Sequence, residues 1–364
     1  MSSYRSFRDL DWGLLAIALT IASIGILQIY SATHDISIWG SAWWKQVLYV
    51  AIGLALMWFI ASIDYHTLLG QVPIIYITTV LLLILVLVSG KSIAGARRWI
   101  QLPGFLFQVS EFAKLMIILL VARFLTELRR DTLEVRELLK LGALVAVPWV
   151  LVQREPDLGT SLTYLPVLAV GVFLAGLRAR YIVISAVLLV GVAWISYHHV
   201  LADYQRERIV SFLNPESDPR GSGYQVVQSK IAIGSGGMWG RGVTQGSQTQ
   251  LRFLPVPHTD FVFATFGEEH GFVGVVVVLI LYFWLLMQIV QNAQTAPDRA
   301  GMYICMGVAS LLLFHLLVNV GMVVGLMPVT GIPLPLMSSG GSNMLSTFLM
   351  LGLVNNVRLR RFVN

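Results

Sequence analysis

Pro257-His258-Thr259-Asp260-Phe261-Val262-Phe263-Ala264 runs through Gly267-Glu268-Glu269 into Val275-Val276-Val277-Val278-Leu279-Ile280-Leu281. A carboxylate, Asp260, stands where the polar loop of residues 200–260 meets an apolar run. The run itself decides the fold class, because it is too long and too apolar for a soluble core. An acid at a membrane boundary is costly to bury and marks a functional site by default.

The rest of the chain repeats the pattern. Of 364 residues, 56% are hydrophobic and only 12% charged, against about 25% charged in a soluble domain. Leu81 to Val88 is a second unbroken apolar run. With roughly 20 residues as the length that crosses a bilayer, about ten spans are expected: 12–31, 45–63, 71–89, 106–126, 139–153, 161–177, 181–199, 261–290, 302–326 and 342–357. The expected fold is all-α, a polytopic membrane protein of one transmembrane domain with a large extracytoplasmic loop. The first run, Trp12 to Tyr30, exceeds the 7–15 residues of a signal-peptide core and reads as a retained span. Pro148, Pro156 and Pro166 break the fifth and sixth spans, as in helices that line cavities. The eighth exceeds what a bilayer needs, so its first turns stand above the membrane or line a site.

The net charge of +6 is not a nucleic-acid signal. Arg5, Arg8, Arg136, Lys140, Arg299, Arg358, Arg360 and Arg361 gather on one side, with Arg129, Arg130, Arg178 and Arg180. Lys45, Lys91, Arg97, Arg98 and Arg154 hold the opposite short loops. The positive-inside bias then makes both termini cytoplasmic and turns the 200–260 loop outward. Asp131-Thr132-Leu133-Glu134 has capping-box spacing and is expected to start a short helix into span five. The single cysteine, Cys305, excludes an intramolecular disulfide. The seven histidines lack metal-ligand spacing.

The polar residues fall on the outer side. Gln108, Glu111 and Lys114 lie in the outer half of span four. Glu111 and Lys114 share a helix face, either as a self-neutralising pair or as a cavity wall meeting an anionic head group. Arg154-Glu155-Pro156-Asp157-Leu158-Gly159-Thr160 is an outer turn whose Asp157 is placed to cap span six. Residues 205–213 and 225–233 read as short amphipathic helices in the long loop, with Lys230 on a polar face. The glycines of residues 234–242 read as a flexible connection. Pro328 to Pro335 runs into Ser338-Ser339-Gly340-Gly341-Ser342, at the start of span ten. That cluster is either a re-entrant turn or an anion site made of backbone N–H groups and hydroxyls.

Taken in order, Gly95–Ile100, Gln108–Lys114, Glu155–Thr160, Gly223–Gly242, Phe253–Phe263 and Met327–Ser342 resemble the SEDS family (shape, elongation, division and sporulation) along nearly the whole chain. The chain is most similar to its elongation branch, with the division branch as the alternative. Ser339 departs from the aromatic residue often found there. The resemblance implies a peptidoglycan glycosyltransferase that polymerises lipid II at the outer face of the bacterial cytoplasmic membrane. It implies that Asp260 is the essential acid and that Glu111, Lys114 and Asp157 are functionally sensitive. It implies a class B penicillin-binding protein, a transpeptidase, as partner, beside membrane lipids. The chemistry calls for one base, Asp260, to take a proton from a sugar hydroxyl. It also calls for positive charge at the leaving pyrophosphate, from Lys114, Arg97, Arg98, Arg206, Arg208 or Lys230, or from a bound divalent cation such as magnesium or manganese. Ten spans with polar residues inside also fit a lipid II flippase, though the polar groups cluster outward rather than at a midplane pathway.

Overall fold

The computed structural model describes residues 10–34, 40–93, 96–102, 105–128, 133–176, 191, 194, 198, 203–214, 218 and 221–361. Helices dominate: α1 (Trp12–Thr33), α2 (Ala42–Ser62), α3 (Tyr65–Gly70), α4 (Val72–Ser89), α5 (Val109–Thr126), α6 (Val135–Arg154), α7 (Leu158–Leu162) and α8 (Tyr164–Leu174). After them come α9 (Asp203–Leu213), α10 (Ser222–Gly236), α11 (Ser247–Gln250), α12 (Val262–Gln294), α13 (Arg299–Val323) and α14 (Gly341–Arg360). Nine of the ten expected spans coincide with these helices; the seventh, 181–199, lies almost wholly outside the described residues. By length and apolarity, five described helices cross a membrane unaided: α1, α2, α4, α12 and α13. The chain is a multi-pass membrane protein. Helices α5 and α14 carry charges that pair with other residues, Glu111 with Lys114, Arg358 with Asp11 and Arg360 with Asp64, and α8 is short.

Local chemistry sets the helix ends. Asp11, Asp64, Asp157 and Asp298 are N-caps whose carboxylates accept from Leu14, His66, Thr160 and Gly301 N–H groups, supplying donors' partners that a helix start lacks. The capping box at α6 sits three residues later than its expected position. The Glu137 carboxylate accepts from the Glu134 N–H at 2.9 Å, while Asp131 and Thr132 lie outside the described residues.

Two ends of the bundle emerge from these contacts. At one end Asp11 accepts from Gln288, Asn292 and Arg358, at 2.9, 2.7 and 3.0 Å. There Asp298 accepts from Tyr65 at 2.9 Å. The start of α1 and the end of α14 therefore share one end of the bundle. The opposite end gathers residues 203–214 and 221–260, the α6–α7 turn and the 327–340 segment. Between them, α5 and α13 form the centre, with Ile117, Ile118, Ile304, Cys305 and Val308 fully buried. Helices α2 and α14 approach closely through Gly53 and Gly352. A Cβ on Gly53 would stand 2.6 Å from Phe348, and one on Gly352 2.8 Å from the Met57 carbonyl. Small residues let membrane helices pack backbone to backbone in this way.

One element departs from the all-α expectation. Residues that read as a loop and as the start of span four form a three-stranded antiparallel sheet of β1 (Lys91–Ile93), β2 (Ala96–Leu102) and β3 (Phe105–Gln108). Trp99 pairs with Gln108 and Leu102 with Phe105. Its cause is local: β-forming Trp99, Ile100, Phe105 and Phe107 lie in adjacent segments that pair antiparallel, Ile100 opposite Phe107. Span four consequently starts at Val109 rather than at 106. Gln108 is its N-cap, and Glu111 and Lys114 sit only about 3 and 8 Å along the helix at 1.5 Å per residue.

The glycine segment is also corrected. A Cβ on Gly236 or Gly240 would lie 2.1 Å from the carbonyl of Gly267 or Glu269. These glycines exist for close packing against α12, not for flexibility. Helix α12 itself breaks at Gly271, with φ 64°, so residues 262–270 form a segment separate from the long apolar run that follows.

Candidate active site

The Asp260 loop is held through its main chain. Pro257 O accepts from the Thr265 hydroxyl at 3.2 Å, and His258 O from the Ser339 N–H at 2.9 Å. Thr259 O accepts from the Ser338 hydroxyl at 2.7 Å, and Asp260 O from the Asn319 amide at 3.0 Å. Four consecutive carbonyls are thus fixed by α12, the 338–339 turn and α13, and the Asp260 side chain bears none of the load. Its Oδ2 would be 3.5 Å from a Cβ on Gly331, a glycine held at φ +74°. Burial raises the Asp260 carboxyl above its ordinary value of 3.8; Arg208, the Thr259 hydroxyl and Arg98 pull it down, and Asp157 pushes it up. The charges that act on Asp260 therefore come from three separate elements.

Those elements line one small cleft beside the loop, bounded by Arg98, Asp157, Gly159, Arg208 and Thr330. Arg98 comes from β2. It donates to Glu155 O at 3.1 Å and to Pro156 O, and its guanidinium stands 3.7 Å from Asp157. Asp157 combines capping with site-building: Thr160 N–H and hydroxyl donate to it at 3.1 and 2.9 Å, and Gln108 at 2.9 Å. On α9, Gln205, Arg208 and Ile209 face the cavity at i, i+3 and i+4 spacing.

The other expected residues are elsewhere. Arg97 alternates to the opposite face of β2 and is exposed. Arg206 lies off the cavity face of α9 and donates to His198 O at 3.0 Å. Lys230 is exposed and passes over Gly325 at the C-terminal end of α13. Glu111 and Lys114 are buried, 2.7 Å apart, and do not line the cavity. Glu111 also accepts from Asn343 and Ser346, at 3.1 and 3.3 Å. Lys114 lies 3.2 Å from His315 Nε2. An ammonium can only donate, so Nε2 accepts and the ring proton sits on Nδ1, which donates to Pro333 O at 3.0 Å.

The serine–glycine cluster is spent internally. The Ser338 hydroxyl also accepts from Leu334 N–H at 2.8 Å. Gly340 N–H donates to Gln46 at 3.2 Å, and Ser342 links Gln108 N–H to Leu106 O at 3.0 and 3.1 Å. Phe105 and Tyr49 crowd the Cα of Gly341. Of the two readings, the re-entrant turn matches these bonds: the cluster clasps the Asp260 loop, α2 and the β3–α5 junction.

These positions can be set beside known proteins. A family model described as cell cycle protein, FtsW/RodA/SpoVE, matches residues 11–361. The chain belongs to this family. It is 39% identical over 356 residues to the peptidoglycan glycosyltransferase MrdB of Escherichia coli, covering 97% of this chain and 94% of that one. Among solved structures, it is similar to a chain of a peptidoglycan synthase complex that coordinates polymerization and crosslinking, with TM-score 0.84, 35% identity and coverage of 98% and 99%. It is similar also to the rod shape determining protein RodA of Thermus thermophilus, with TM-score 0.73, 31% identity and coverage of 97% and 98%. The SEDS resemblance drawn from motifs alone is the same family.

Sequence reading passed over Asn319, His315 and Glu155. The first two are polar residues four apart in an otherwise apolar helix, which is itself a signal. Glu155 is fully buried with no hydrogen bond to either carboxyl oxygen. Burial first, and Asp157 second, push its carboxyl up to about 8, with Arg98 opposing. This shift favours its neutral form at pH 7. A folded value above the ordinary 4.5 means the unfolded chain releases its proton first, so stability falls as pH rises from that value to about 8. Glu155→Gln, which keeps the neutral shape, is expected to flatten the decline and raise the melting temperature at pH 8 by several degrees. Thermal unfolding at pH 5 and pH 8 measures it; an equal pH dependence in both proteins would mean Glu155 is ionised.

Proposed function

We propose that this protein is a peptidoglycan glycosyltransferase that polymerises lipid II into glycan strands, serving the elongation role of its RodA-type relatives. The observation that carries the reading is the Asp260 loop, clamped by four carbonyls beside a cavity with two arginines. Asp260 takes the proton from the acceptor sugar hydroxyl as that oxygen attacks the donor's anomeric carbon. Its raised carboxyl is a stronger base than an exposed aspartate. The bond to undecaprenyl pyrophosphate breaks in the same displacement, so an α-linked donor gives a β-linked glycan with one inversion. Arg98 and Arg208 face the charge that builds on the pyrophosphate. Their fixed placement, rather than that of Arg97, Arg206 or Lys230, makes them the cations of the reaction. Asp157 and Gln108 hold Arg98 in register.

A divalent cation would act with these arginines at the pyrophosphate. Among the described residues, no three His, Cys, Asp or Glu side chains gather around one point, and Asp157 already carries three hydrogen bonds. The residues present do not make a dedicated metal cage, and no step is assigned to one.

By this reading the cavity end of the bundle is extracytoplasmic, both termini are cytoplasmic, and a class B penicillin-binding protein crosslinks the product strand. Purified protein with fluorescent lipid II, with and without such a partner, should yield glycan polymer on a gel. A protein that moves lipid II across vesicles and forms no polymer would turn the reading into a flippase. For the orientation, a cysteine at Arg252 should react with a membrane-impermeant maleimide in spheroplasts, and one at Arg299 only after lysis. The reverse pattern would place Asp260 in the cytoplasm, away from extracytoplasmic strand synthesis.

A further inference from the structure

The loop between α10 and α12 exposes a tryptophan and a methionine. Trp239 is 80% and Met238 58% exposed, yet their backbone is pinned. Phe272 N–H donates to Gly237 O at 2.9 Å, Val273 N–H to Met238 O at 3.1 Å, Arg241 N–H to Glu268 O at 3.1 Å and Gly242 N–H to Glu269 O at 3.0 Å. A rigid turn thus presents a tryptophan and a methionine outward at the Gly271 break of α12.

What covers them follows from α12. Its exposed face runs through Val273, Val277, Ile280, Trp284 and Met287, the helical spacing of a lipid-facing stripe. The stripe meets its first polar residue at Gln291. From Phe272 to Gln291 the helix rises roughly 28 Å, close to the ~30 Å hydrocarbon thickness of a bilayer. Gly271 therefore lies at the lipid–water boundary, with Trp239 beside it. Tryptophan favours that depth, with its ring in the interface and its N–H toward the head groups. The exposed Val227 and Ile231 of α10 continue the apolar surface. That helix is tied to the end of α13 by the Ser229 hydroxyl, 2.8 Å from Val323 O.

We propose that Met238 and Trp239 are an interfacial anchor that seats in the lipid leaflet on the cavity side and fixes the height of the Asp260 loop above it. The anchor reaches that loop through buried carboxylates. Glu268 accepts from Gln248 N–H at 2.8 Å and from Thr249 N–H and hydroxyl at 3.2 and 2.9 Å. Glu269 accepts from Gln28 and Ser31 of α1, at 3.0 and 2.5 Å. The segment that leads to Asp260 is thereby bound to the same turn that carries Trp239. The lipid contact is independent of the glycosyltransferase reading; only its consequence for rate rests on it.

Trp239→Cys labelled with bimane in nanodiscs of phosphatidylethanolamine and phosphatidylglycerol tests the contact, since the native Cys305 is buried and wild type serves as the labelling blank. Lipids doxylated near the head group should quench this label at least about twofold more than a label at Arg252→Cys, while aqueous iodide quenches it less. Iodide quenching equal to that at residue 252 would overturn the proposal. So would protection from both quenchers, which would mean that protein, not lipid, covers the turn. In the activity arm, Met238→Gln/Trp239→Gln should slow polymerisation in bilayers about threefold or more and leave the detergent rate unchanged. An equal loss in both media would mark a folding role and overturn the height-setting function. If wild type makes no polymer at all, the quenching result still decides the contact.

Discussion

Asp260→Asn should lower glycan-strand formation by about 10²- to 10⁴-fold, the usual worth of a positioned base, in a protein that folds as before. The separation of the two effects follows from how the loop is built. All four clamps, from Thr265, Ser339, Ser338 and Asn319, engage main-chain carbonyls. Asparagine keeps the side chain's shape and leaves every clamp in place, but cannot take a proton. The melting temperature should hold or rise slightly, because a half-buried carboxylate is replaced by a neutral group. Wild type should lose rate as pH falls through the Asp260 value, since the base form is needed. Burial raises that value above 3.8, so the acid limb lies above the range of an ordinary aspartate. Polymer on a gel from fluorescent lipid II, with melting curves for both proteins, measures this. A stable asparagine variant that polymerises at near the wild-type rate would remove Asp260 from the chemistry.

What could be read from sequence depended on how local the information was. Spans such as α12 and α13 are legible because roughly 20 apolar residues in a row are a local property. Asp157 was legible as a cap, since Asp-x-x-Thr carries its own geometry. The sheet was not, because its strands are short and its glycines and proline read as loop. That miss had a consequence for the site: Arg97 and Arg98 are equivalent in sequence and opposite in a strand, so the cation of the cavity could not be chosen. Ser338 and Ser339 advertised donors, but their acceptors lie at Thr259 and His258, some 80 residues away in the chain. Gly236 and Gly240 show the same limit. A glycine that permits flexibility and one that permits contact look alike until the neighbour, here α12, is known.

The second large effect is expected at Glu111 and Lys114. Both are buried, at 3% and 1% exposure, so Lys114 does not reach a pyrophosphate in the cavity. Lys114→Met alone leaves Glu111 with only Asn343 and Ser346 as partners, and an uncompensated buried charge costs about 3–5 kcal/mol. That loss should appear as a large fall in melting temperature. The double variant Glu111→Gln/Lys114→Met removes both charges and should recover most of the stability, since a buried pair roughly breaks even against neutral packing. Activity should not recover with it. Lys114 fixes the His315 tautomer, and His315 Nδ1 holds Pro333 O. One turn along α13, Asn319 bonds Ile332 O at 2.8 Å and Asp260 O at 3.0 Å. Without the lysine, the imidazole is free to change tautomer and release the 331–333 segment that stands against the Asp260 carboxylate. A displacement of about 1 Å there can cost up to 10²-fold in rate. A stable double variant with full activity would reduce the pair to structural filling and break the proposed chain from α5 to Asp260. Recovered stability with lost activity, and His315→Gln matching the double variant in rate, would establish it.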